Sequence, residues 1–187
     1  MVTVSFILIL SNHQVIILSF HSSFDAASLD MYIMTRGYGS IFSLSRLVFN
    51  YPIQLVIPNG FFNRNGIDSF KLKNNGNLKR IVIGENTFGN VRQFELKKMN
   101  ELESVVIGES SFTYAKTDNG VKKSERSDGS YSITNCPKLK SIQIGDYTFS
   151  DYHSFQIESL PSLQSIDIGK NCFYWTSSFS LKSIVNN

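Results

Sequence analysis

The sequence predicts a mainly β solenoid, made of short coils with two strands each, stacked into parallel sheets with few or no helices. Three recurrences predict it. An aliphatic-x-aliphatic phrase closed by Gly or Pro returns five times, as Leu55-Val56-Ile57-Pro58, Ile81-Val82-Ile83-Gly84, Val105-Val106-Ile107-Gly108, Ile142-Gln143-Ile144-Gly145 and Ile166-Asp167-Ile168-Gly169. A Phe follows each of these corners at one fixed offset: Phe62, Phe88, Phe112, Phe149 and Phe173. An aromatic-x-aliphatic phrase comes next, as Phe70-Lys71-Leu72, Phe94-Glu95-Leu96, Tyr131-Ser132-Ile133, Phe155-Gln156-Ile157 and Phe179-Ser180-Leu181.

Both phrases alternate with period two, so each unit is expected to hold two short strands with every other side chain turned inward. The Gly of each corner is expected to supply the backbone angles of a tight turn, and Pro58 fills the equivalent place without needing an N–H. A Leu-x-x-Leu step leads from the second phrase back to the first, seen in Met99 and Leu102, Cys136 and Leu139, and Leu160 and Leu163. Stacked coils pair equivalent strands and bury the Ile, Leu and Phe columns, each side chain worth roughly 1.5–3 kcal/mol. A lone coil has nothing to bury against, so about three are needed before a stack is stable.

Over residues 51–187 this pattern resembles the leucine-rich-repeat superfamily. The I-x-I-G/P corner with its spaced Phe is similar to the BspA-like class of microbial and protist cell-surface proteins. The chain departs from that likeness in two ways: the Asn of the common leucine-rich repeat is not regularly present, and Gly stands where the BspA-like class usually has Pro. The resemblance implies an adhesion or recognition role at a cell surface.

The corners are spaced 26, 24, 37 and 24 residues apart, so one unit carries an insertion, at about 114–130. Its middle, Ala115 to Gly129, offers almost nothing to bury and is expected to form a solvated loop. Residues 1–50 fall out of phase with the repeat and are expected to be a separate N-terminal segment or a capping element. Within them Phe6 to Leu10 and Val15 to Leu18 read as candidate strands, and Leu44 to Phe49 as a degenerate first coil. Phe179 to Ile184 begins a further unit and leaves it incomplete. That predicts an exposed coil end, belonging to a fragment or pairing end to end with another chain.

The function classes narrow by charge and chemistry. A net charge of +3, spread along the chain, argues against nucleic acid or an anionic membrane as the main partner. Two cysteines, Cys136 and Cys172, build no disulfide framework and fit a reducing compartment. No N-x-Ser/Thr acceptor occurs, and Ser11 to Gln14 interrupts an apolar N-terminus too short for a membrane span. A cytoplasmic setting is favoured, with the cell surface implied by the family resemblance. His13, His21 and His153 are scattered, Gly37-Tyr38-Gly39 lacks the rest of a phosphate loop, and Asn74 to Asn77 reads as a turn. Cys136 aligns with inward Met99 and Leu160, and Cys172 with Thr87, Ser111 and Thr148, so both are expected to be buried or half-buried. No catalytic residue, metal site or cofactor is expected.

What remains is the outward side of the first strands: Arg80 and Val82, Ser104 and Val106, Ser141 and Gln143, Ser165 and Asp167. With Lys122 and Lys123 of the insertion, these are the candidate partner-binding residues of a non-enzymatic protein-interaction module. The alternative is an architectural spacer, or a fragment of a larger self-assembling or cell-surface adhesion protein.

Overall fold

The computed structural model describes residues 2–10, 14–23, 26–35, 53–63, 68–114, 116–117, 120–121 and 128–182. The period-two phrases form two columns of parallel strands. The first holds β4 (Ile53–Ile57), β6 (Leu78–Ile83), β8 (Ser104–Ile107), β12 (Ser141–Ile144) and β14 (Ser165–Ile168). The second holds β5 (Ser69–Lys73), β7 (Gln93–Lys97), β11 (Ser130–Thr134), β13 (Ser154–Glu158) and β15 (Ser178–Lys182). Neighbours pair in parallel with equivalent residues side by side, apart from a register shift between Ile53 and Gln54 where β4 meets β6, so the chain is a β-solenoid of about five coils. Among the described residues there is no helix.

Ahead of the coils, β1 (Val2–Leu10), β2 (Gln14–Ser23) and β3 (Ala26–Thr35) form an antiparallel meander, and β3 runs parallel to β4, extending the first sheet to eight strands. β1 and β2 contain the two strands read from sequence, whereas β3, in which Leu29, Met31 and Ile33 alternate with Ser28, Asp30 and Tyr32, was not among them. The supposed degenerate coil at Leu44 to Phe49 lies outside the described residues. In the insertion, β9 (Lys116–Thr117) and β10 (Gly120–Val121) make a short antiparallel hairpin.

The core is an aromatic stack running the length of the coils. Phe62, Phe88, Phe112, Phe149 and Phe173 lie face to face with centroids 4.9, 4.9, 4.7 and 5.3 Å apart. Phe70, Phe94, Tyr131, Phe155 and Phe179 form a second such column at 5.3, 5.1, 5.0 and 4.5 Å. The columns meet edge to face, as between Phe94 and Phe149 at 5.3 Å, which is the arrangement ring quadrupoles favour. Met99, Cys136 and Leu160 are fully buried as the Leu-x-x-Leu step requires, and each carbonyl accepts from the N–H three residues on. In the earliest coil Asn75 takes this inward place, and its Oδ1 accepts from Asn77 N (3.0 Å) and Leu78 N (2.8 Å).

The corner glycines act differently from the sequence expectation. Gly84, Gly108, Gly145 and Gly169 do not adopt left-handed angles; the coils simply come too close for a side chain there. A Cβ on Gly108 would stand 2.6 Å from the Glu85 amide nitrogen of the preceding coil, and one on Gly145 2.6 Å from that of Glu109. The left-handed residues of the coil are others: Asn86, Ser110, Tyr147 and Asn171 in one column, the core Phe residues in a second, and Asn74, Lys98, Asn135 and Ser159 in a third, with φ between 51° and 60°. Three such bends per coil turn the chain, and in the first and third columns the bent N–H donates to a carbonyl of the next coil, as Ser110 N to Asp146 O at 2.8 Å. A bulky residue in this region is strained by roughly 1–2 kcal/mol, which burial of a Phe ring offsets.

Candidate functional site

Period-two strands with one face on the core leave the other face to be presented in columns, and the register decides what stands beside what. On the first sheet Arg80, Ser104, Ser141 and Ser165 are direct neighbours in successive strands, and so are Val82, Val106, Gln143 and Asp167. All eight candidates on this sheet thus gather on one surface. Arg80, Gln143, Ser165 and Asp167 are exposed and the other four half-buried, while the intervening Ile81, Val105 and Ile142 are buried. Val82 and Val106 sit side by side, with Val56 of β4 beyond them, giving an apolar spot at the early end of a polar and charged ladder. Lys122 and Lys123 lie outside the described residues.

Sequence reading missed the outer face of the second sheet. It carries a shallow groove of about 430 Å³, floored by Ser130, Ser132, Ser154, Gln156, Ser178 and Ser180 and flanked by Lys71, Gln93 and Glu95. Short side chains in the later coils leave the depression, and longer ones in the earlier coils wall it. Glu95 is held by Lys73 at 2.7 Å, and Gln156 Nε2 donates to Glu158 Oε2 at 3.0 Å. The signal was available: the x of every aromatic-x-aliphatic phrase lies on this face.

Between the sheets, hydroxyls are spent on the stack itself. Ser111 Oγ accepts from Thr87 N (3.1 Å) and donates to Gly84 O (2.7 Å); Thr148 Oγ1 accepts from Ser111 N (3.2 Å) and donates to Gly108 O (2.8 Å). Cys172 continues the ladder, its Sγ 3.0 Å from Gly145 O. Burial pushes both the Cys136 and the Cys172 thiols up to about 11, far from a reactive thiolate. On the return turn Lys140 bonds Glu103 at 2.9 Å with Lys79 3.7 Å away, and Lys138 bonds Glu101 at 2.7 Å. These are exposed pairs bridging successive coils. His153 is exposed, with Nε2 2.8 Å from Ser177 Oγ of the next coil. Among the described residues no three of His, Cys, Asp and Glu gather as a metal site would require. No protein-family model, curated protein or solved structure matches this chain.

Proposed function

We propose that this chain is a non-enzymatic protein-interaction module of the leucine-rich-repeat type, engaging another protein through the outward face of its first sheet. The observation that carries the reading is the in-register gathering of Arg80, Val82, Ser104, Val106, Ser141, Gln143, Ser165 and Asp167 into two adjoining columns. Such a face varies without disturbing the core, and its mixture of an apolar spot with Arg, Gln and Asp is the composition of a partner surface with a polar rim.

The test compares affinity capture by the 187-residue chain with capture by an Arg80→Glu/Val106→Lys/Gln143→Lys/Asp167→Lys variant, with quantitative proteomics of the retained proteins. A protein held by the parent, lost by the variant and then bound by the purified parent in calorimetry supports the module. Equal retention by both, with the variant still folded, contradicts it and favours a spacer. A Ser132→Arg/Gln156→Arg variant in the groove of the second sheet, retaining the partner, assigns the binding to the first sheet.

A further inference from the structure

We draw no further inference here: the strongest candidate, the groove on the outer face of the second sheet floored by Ser130, Ser154 and Ser178 of successive coils, is a stripe of short polar side chains with no second observation beside it, and nothing in the structure shows what covers it.

Discussion

Tyr131 is the one polar interruption of its ring column, standing where four other coils place Phe70, Phe94, Phe155 and Phe179. Its ring is 1 % exposed and stacked at 5.1 Å on Phe94 and 5.0 Å on Phe155, but its buried Oη has no hydrogen-bond partner. Burial, and the nearby Cys136 thiol, push the phenol well above its ordinary value, so it is protonated at neutral pH. An unpaired buried hydroxyl costs about 1–3 kcal/mol. Tyr131→Phe keeps both stacking contacts and removes that cost. We expect the variant to be more stable by about 1–3 kcal/mol, read as a higher midpoint in urea at unchanged slope, or as a Tm raised by roughly 2–10 °C. Loss of stability by more than ~0.5 kcal/mol would refute the reasoning, because it would mean that the hydroxyl is satisfied inside the protein.

Other expectations follow from the same stack. Gly108→Ala should destabilise by about 1–3 kcal/mol through its clash with the Glu85 backbone, while Gly76→Ala, with nothing within 4 Å, should be neutral or stabilise by up to ~1 kcal/mol; equal effects in urea would sink the close-approach account. Ile142→Ala should cost about 2–5 kcal/mol and its outward neighbour Gln143→Ala less than ~0.5 kcal/mol, measured the same way. With thiols near 11, Cys136 and Cys172 should react with iodoacetamide at pH 8 roughly a hundredfold more slowly in the folded chain than in urea; rapid labelling of either would show that its burial is wrong. Lys140 and Lys79 hold the Glu103 carboxyl below its ordinary value, so the pair stabilises the fold above the unfolded-state value and ceases to as pH falls through the folded one. Glu103→Gln should then cost at most ~1 kcal/mol at neutral pH, with melting curves of parent and variant converging in acid.

The phrases fixed by period two were fully legible. Ile81, Val105, Ile142 and Ile166 align in the sequence because they align in the sheet, and the outward Arg80 to Asp167 ladder followed from the same alternation. The bends were legible only where Asn marks them, as at Asn74 in the turn read from Asn74 to Asn77. Gly or Asn signals a left-handed residue in most chains, yet here Phe62, Phe88, Phe112, Phe149 and Phe173 adopt that conformation, because ring stacking outweighs a local penalty that propensity alone would decide. The corner glycines misled for the complementary reason: their need is for space between coils, which one coil's sequence does not display. The groove of the second sheet arises from short outward side chains in several coils at once, a property of stacked columns and not of any single phrase. β3 escaped although Leu29, Met31 and Ile33 alternate with Ser28, Asp30 and Tyr32, because it lies outside the phase of the repeat that carried the reading.

The parallel in-register stack underlies both the core and the outward ladder of the first sheet, and Val82 and Val106 test it most directly. They are strand partners 24 positions apart in sequence, on an outward column where no core packing brings them together by another route. A methyl–methyl nuclear Overhauser effect between them is expected, since neighbouring strands lie about 4.8 Å apart, with a second joining Val56 to Val82. Absence of the Val82–Val106 contact, with Val106 instead reporting a different neighbour, would contradict the register and with it the ladder.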